Sequence, residues 1–309
     1  MHRSGQPMKR GVVAGFLAYM LWGLLPVYWK AVDAVPPLEI LCHRIAWSLA
    51  FLLVVLAATG RWAWIRQVRS SPRTLLLHAG TACLLSVNWF VYIWATLSGH
   101  IVDASLGYFI TPLFSVVLGV LFLHERLRSW QRIAIVSAAV GVLVLTAGYG
   151  SFPWIALILT FTFGLYGLLR KVSPLGSLEG LSLETAVLFL PALGYLAYRE
   201  AAAGASFGHA GGVTTLLLVG TGPVTAIPLL LFAAAARRVR LSTLGILQYI
   251  APTLQFLLGV LAYGEPFTAA RLLGFVPIWL ALVIYSVEGL REESRRRSEP
   301  APCRMHAGS

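Results

Sequence analysis

Charge is what this sequence has least of. Asp, Glu, Lys and Arg make up 12% of its 309 residues, about half the fraction of an ordinary soluble domain. So sparse a supply cannot clothe a water-facing surface of this size, which excludes a large soluble fold. Cysteine is nearly missing, and the three present do not make a disulfide framework. Cys42 and Cys83 fall in apolar runs and Cys303 in the C-terminal tail, so no disulfide is expected. No Cys/His cluster has metal-ligand spacing, and no metal or cofactor is expected. The glycine-rich phosphate loop of a nucleotide-driven pump is absent as well. No Ser/His/Asp, Cys/His or paired-carboxylate set has an interpretable spacing, so the chain reads as a non-enzyme with no catalytic residue to assign.

Apolar residues are what it has in excess: 58% of the chain, with mean hydropathy +0.78. A spanning helix needs about 20 mostly apolar residues to cross about 30 Å of hydrocarbon. Ten runs qualify: 11–28, 37–58, 74–97, 104–123, 130–148, 151–169, 180–198, 212–236, 241–263 and 268–287. They are continuous rather than alternating, which argues for helices over a β-barrel. The fold class is therefore an all-α integral membrane protein with ten transmembrane helices. The first run follows Lys9-Arg10 at full spanning length, with no small-residue cleavage site after it, so it is not a signal peptide.

The formal net charge of +12 does not point to nucleic acid. Apart from Lys30, Arg44, Arg199 and Arg271, the basic residues fall before the first run, in alternate loops, or in the tail. That alternation follows the positive-inside rule with both termini cytoplasmic. Residues 1–10 are a cytoplasmic N-terminus and 289–309 a cytoplasmic basic tail, whose Arg295-Arg296-Arg297 run suits anionic lipid. The partners expected are a lipid bilayer and a small-molecule solute, with a homodimer left open.

One phrase occurs twice. PLFSVVLGVLFLHE (112–125) and PTLQFLLGVLAYGE (252–265) share proline, Leu-Gly-Val-Leu and a closing glutamate at an offset of 140 residues. Leu38-Glu39 and Leu41 match Leu178-Glu179 and Leu181 at the same offset, and Trp22-Gly23-Leu24-Leu25 parallels Tyr166-Gly167-Leu168-Leu169. Five spans separate the copies, and five is odd, so the second copy enters the membrane from the opposite face. The expectation is two inverted five-helix repeats, 11–148 and 151–288, with a substrate site between them and access that alternates as one rocks on the other. Duplication for packing alone, a channel and a duplicated membrane enzyme are the alternatives.

The stretches WGLLPVYWK (22–30), EILCHRIAWS (39–48), NWFVYIWA (88–95), ASLGYFITP (104–112) and QYIAPTLQFLLGVLAYGE (248–265) resemble the RarD branch of the EamA family, in the drug/metabolite transporter superfamily. The chain departs from that pattern at Asp103 and Thr111. The resemblance implies ten helices and a bacterial inner-membrane permease or exporter of a small organic metabolite or drug-like solute. The rival classes are an intramembrane enzyme acting on a lipid-soluble substrate and a non-transporting receptor.

Ionisable groups inside a bilayer are costly and mark pathways or pairs. Arg44 lies seven residues past Pro37, about 10 Å into the membrane at 1.5 Å per residue. It reads as an anion or proton-relay site with neighbouring His43, or as a buried arginine that ties helices together. Glu184 stands at the equivalent place in the other half, and whether the two pair is open. Asn88, Trp89 and Tyr92, with Gln248 and Tyr249, offer amides among aromatic rings. Pockets for small molecules are built that way, and so are helix–helix contacts. Arg44 is expected to face a water-accessible central cavity near Asn88, Trp89, Gln248 and Tyr249. Pro112 and Pro252 read as hinges or static kinks, Gly119 and Gly259 as points of close helix approach. Glu125 and Glu265 read as helix-end anchors.

Overall fold

The computed structural model describes residues 5–124, 129–149, 152–236, 238 and 247–298. Among the described residues the secondary structure is helical. In chain order the helices are α1 (Gly5–Lys30), α2 (Pro37–Thr59), α3 (Trp64–Arg69), α4 (Pro72–Leu97), α5 (Ile101–Leu123) and α6 (Ser129–Tyr149). They continue with α7 (Trp154–Lys171), α8 (Ser177–Ala201), α9 (Gly212–Ala236), α10 (Ile250–Leu257) and α11 (Ala269–Ser298). A π turn, Leu258–Ala262, extends α10.

Nine of the described helices are long and apolar enough to cross a membrane, and Ile250–Ala262 is a shorter apolar one. The expected ninth span, 241–263, begins on 241–246, which lie outside the described residues, as does Glu125. The other nine expected runs each fall on one long helix.

Local chemistry sets several helix ends. Pro37 and Pro72 open α2 and α4, where a missing N–H breaks no helical bond. Ser71 caps α4, its Oγ accepting from the Thr74 N–H at 3.3 Å. Gly60, at φ 64°, closes α2 in the left-handed conformation that favours glycine.

Short links join most successive long helices, so the chain crosses back and forth between two ends of the bundle. The end where α1 begins is the near end, the other the far end. Helix α2 is central, packing on α4, α8 and α9. One apolar core gathers side chains of α1, α2, α4, α7, α8 and α9, and a second those of α5, α6, α10 and α11. Leu76, Leu216 and Leu261 stay exposed on the outside, where lipid is as apolar a neighbour as protein.

Glycine lets two of these contacts close. A Cβ on Gly141 of α6 would stand 2.6 Å from the Gly274 carbonyl of α11, and one on Gly107 of α5 would stand 2.7 Å from the Ala156 carbonyl of α7. Only a residue without a side chain admits backbones so near.

Candidate functional site

The buried polar residues of α2 repeat at helical spacing: Glu39, His43, Arg44 and Ser48. Each lies within an apolar element that faces other helices rather than lipid, so each must find a protein partner or a ligand. What they find differs along the helix.

Glu39, at the far end, accepts from the Ser206 N–H at 2.6 Å and meets the Arg199 guanidinium at 3.1 Å. It fastens the start of α2 to the end of α8 and to the loop that follows. His43, one turn on, stacks on Phe207 of that loop at 5.0 Å between ring centroids, with Nε2 buried and unpartnered. Trp47 leans on the same phenyl ring.

Arg44 turns a different way. It is buried, and its guanidinium carbon lies 3.9 Å from the Trp89 ring centroid and 5.2 Å from that of Trp29. Its Nε donates to Thr225 Oγ1 of α9 at 2.9 Å. Its Nη1 is buried and has no hydrogen-bond partner. Among the described residues Arg44 makes no ion pair. Tyr108 donates to Asn88 Oδ1 at 3.2 Å and stands edge-on to Tyr92, whose hydroxyl is buried without a partner. Asn88 in turn donates to the Leu159 carbonyl at 3.1 Å and to Thr162 Oγ1 at 2.9 Å, which ties α4 to α7.

Glu184 sits in a network of its own. Its carboxylate accepts from Thr81 Oγ1 at 2.7 Å and from the Tyr166 hydroxyl at 3.2 Å, meets His78 Nδ1 at 3.2 Å, and lies 3.8 Å from Arg170 Nη1. His78 is bonded on its other side to Ser173 Oγ at 2.9 Å. At the near end Arg61, just past α2, forms an ion pair with Glu179 at the start of α8.

The structure therefore brings Arg44, Asn88, Trp89 and Tyr92 into one neighbourhood, with His43 beside it on α2. Glu184 is elsewhere. Tyr249 packs against the second core, and among the described residues no hydrogen bond, ion pair or ring contact joins Gln248 or Tyr249 to Arg44. The buried amide of α10 is Gln255, which donates to the Trp22 carbonyl at 3.1 Å, its Oε1 left unpartnered. Pro112 lies inside α5, whereas Pro252 occupies the first turn of α10, where proline costs least. Gly119 is buried in α5. Gly259 makes the close approach: a Cβ there would sit 2.9 Å from Val102 of α5. Glu265 anchors a helix end other than its own. Its carboxylate accepts from the N–H groups of Ile101 and Val102 at 2.6 and 2.8 Å, a charged cap where the dipole of α5 is positive.

Sequence reasoning missed Trp29, Tyr108, Thr225, Gln255 and the set around His78. His78 carried a readable signal, an ionisable side chain inside an apolar run. Thr225 and Trp29 carried none, since threonine and tryptophan are ordinary in such runs.

Comparison with known proteins completes the site's context. The pattern of the EamA-like transporter family matches residues 9–147. A protein named RarD, from Streptomyces exfoliatus, is 50% identical over 96% of this chain and 94% of its own length. YojE of Bacillus subtilis, named an uncharacterized transporter, is 44% identical over 94% of this chain and 98% of its own. A solved crystal structure shares the fold with TM-score 0.58 at 21% identity, covering 92% of this chain and 98% of the other.

Proposed function

We propose secondary transport as the work of this chain, which belongs to the EamA-like transporter family and stands among its RarD-named members. It is a multi-pass membrane protein of a bacterial transporter family, and the names of the family and its relatives indicate a transporter rather than an enzyme. In our reading it exports a small organic metabolite or drug-like solute across the inner membrane by alternating access. Both termini lie in the cytoplasm, and ten spans form two inverted halves, 11–148 and 151–288.

One observation carries the mechanism. At the far end the start of α2 is clamped to the end of α8 by Glu39 and Arg199. At the near end the start of α8 is clamped to the end of α2 by Glu179 and Arg61. The two glutamates are 140 residues apart, the offset of the repeated phrase. A contact and its mirror, with roles exchanged, is what a two-fold axis in the membrane plane produces. The packing supports the same axis: α1 meets α9 as α7 meets α4, and α2 meets α9 as α8 meets α4. Ser137 also donates to the Pro277 carbonyl, again across 140 residues.

With both clamps closed, Arg44 and its neighbours are sealed from either side. Each clamp is then a gate, and opening one at a time admits solute from one side only. Arg44, Asn88, Trp89, Tyr92 and His43 line the path near the far gate. Glu184 ties α8 of the second half to α4 of the first, and Pro112 inside α5 supplies a point of bending, while Pro252 sets the start of α10.

Thiol accessibility tests this reading. In a chain whose three cysteines are replaced by serine, Ser48→Cys is exposed to membrane-impermeant reagents in oriented vesicles. Glu39→Gln is expected to raise labelling from the far side only, and Glu179→Gln from the near side only. Labelling from both sides in one variant would indicate a channel and end the gating account.

A further inference from the structure

We propose that the Arg44 cluster binds a small organic anion bearing a carboxylate, and that such anions are the substrate class. The inference rests on the transport reading above and takes it further.

Compensation of buried charge is the starting point. An ionised side chain removed from water needs an opposite charge or a full set of hydrogen bonds. The buried carboxylates meet that need inside the protein. Glu39 has Arg199 and Ser206. Glu184 has Thr81, Tyr166, His78 and Arg170. Glu265 has two backbone N–H groups. Arg44, equally buried, has no carboxylate. Its counterpart 140 residues on is Glu184, so one half of the molecule neutralises its intramembrane charge and the other leaves a cation open. Among the described residues Lys30, next to Trp29, likewise finds only the Leu97 carbonyl at 3.3 Å and the Tyr263 ring.

The surroundings of Arg44 have the polarity of an anion site. The Trp29 and Trp89 rings hold the cation by its charge while using none of its N–H groups. Its Nε is bonded to Thr225, and its Nη1 is left with a hydrogen to give. Three further buried and unpartnered polar atoms belong to the same neighbourhood: Trp29 Nε1, Tyr92 Oη and Ser48 Oγ, the last one helical turn from Arg44. Every one of the four carries a hydrogen it can donate. Native interiors rarely leave several donors unmatched in one place. A ligand rich in acceptor lone pairs satisfies them together, and one negative charge neutralises Arg44. A carboxylate meets both conditions, because its two oxygens fit the fork of a guanidinium. A cationic solute would add to the uncompensated charge, and a neutral amide would supply one acceptor while bringing donors of its own.

The test is binding by the purified full-length protein in detergent, read as thermal stabilisation. The probes are acetate, phenylacetate and indole-3-acetate, each against its own neutral amide, with chloride as the inorganic control. At least one acid is expected to raise the melting temperature by roughly 5 °C at a hundredfold excess over its Kd, and its amide to have little effect. Equal shifts for every acid and its amide would overturn the proposal without any variant. So would a chloride shift that matches the best acid. In Arg44→Gln the affinity for that acid is expected to fall at least tenfold. If that variant does not fold, Arg44→Lys serves: loss of the fork should weaken the acid severalfold, and undiminished acid binding contradicts the assignment. Flux into liposomes separates this proposal from the transport reading. Acid binding without movement of that acid leaves the anion site standing and removes transport. Movement of a neutral solute with no acid binding does the reverse.

Discussion

Arg44 and Glu184 occupy equivalent places in the repeated sequence, and they do not meet. Glu184 bonds Thr81, Tyr166 and His78 and lies 3.8 Å from Arg170; Arg44 is held between two indoles and bonded to Thr225. Equivalent positions have acquired opposite charges and opposite kinds of surroundings. One is a completed internal network. The other is a cation whose Nη1 is buried without a hydrogen-bond partner.

A completed buried network is costly to break. Glu184→Ala leaves His78 and Arg170 without their acid and is expected to lose about 3 kcal/mol of stability, as removal of one partner from a buried pair does. Glu184→Gln keeps an acceptor for Thr81 and Tyr166 and should lose about half as much. Thermal unfolding of the purified variants measures both, and equal stability of Glu184→Ala and wild type would show that the network does not hold the fold.

The ion pairs at the two ends of α2 and α8, the proposed gates, should differ in strength at equilibrium. Arg61 is half exposed, with 47% of its side-chain surface open, against 25% for Arg199. An exposed ion pair contributes about 0–1 kcal/mol. Glu179 is buried but solvent reaches its partner and screens the pair, so Arg61→Ala should lose about 1 kcal/mol; Arg199→Ala should lose about 2 kcal/mol, since it strips a fully buried Glu39 of the more buried of the two cations. Double-mutant cycles with Glu179→Ala and Glu39→Ala isolate each coupling. A larger coupling between Arg61 and Glu179 would contradict this ranking.

Helix contact through glycine gives a third expectation. Gly141→Ala places a methyl against the Gly274 carbonyl and should cost about 1–3 kcal/mol as overpacking. Gly80 has open space where its Cβ would stand, so Gly80→Ala should be neutral or gain a few tenths to about 1 kcal/mol of helix propensity. Unfolding midpoints of the two variants in one detergent make the comparison, and no difference between them would remove the packing role of Gly141.

Orientation follows from basic residues in alternate loops. Reporter fusions after Arg10, Arg69 and Arg297 are expected to read as cytoplasmic, and fusions near Ser98 and Gly208 as the other side. One reproducible inversion would break the proposed ten-span topology.

The sequence by itself determined the solvent of this protein, the place of nine long helices, its family and which charged side chains stand inside the apolar runs. It could do so because hydropathy and charge act on each residue against the bilayer, and length against bilayer thickness, with no need to know what lies across the interface. It also marked Gly259 and Glu265, whose spacing in the repeated phrase reappears as a close approach and a helix cap. Tertiary structure alone decided partnership. Gln248 and Tyr249 read like Asn88 and Trp89, amide beside aromatic, yet Tyr249 packs in the second core and Trp89 covers Arg44. A helix presents any side chain toward a neighbour or toward lipid according to its rotation about its own axis. That rotation is set by many packed contacts at once, such as the Gly141–Gly274 and Gly107–Ala156 approaches. Lipid is as apolar as the helices, so hydropathy is nearly indifferent to which face turns inward, and the partners of Arg44 and Glu184 were settled by packing and hydrogen bonds between helices far apart in the chain.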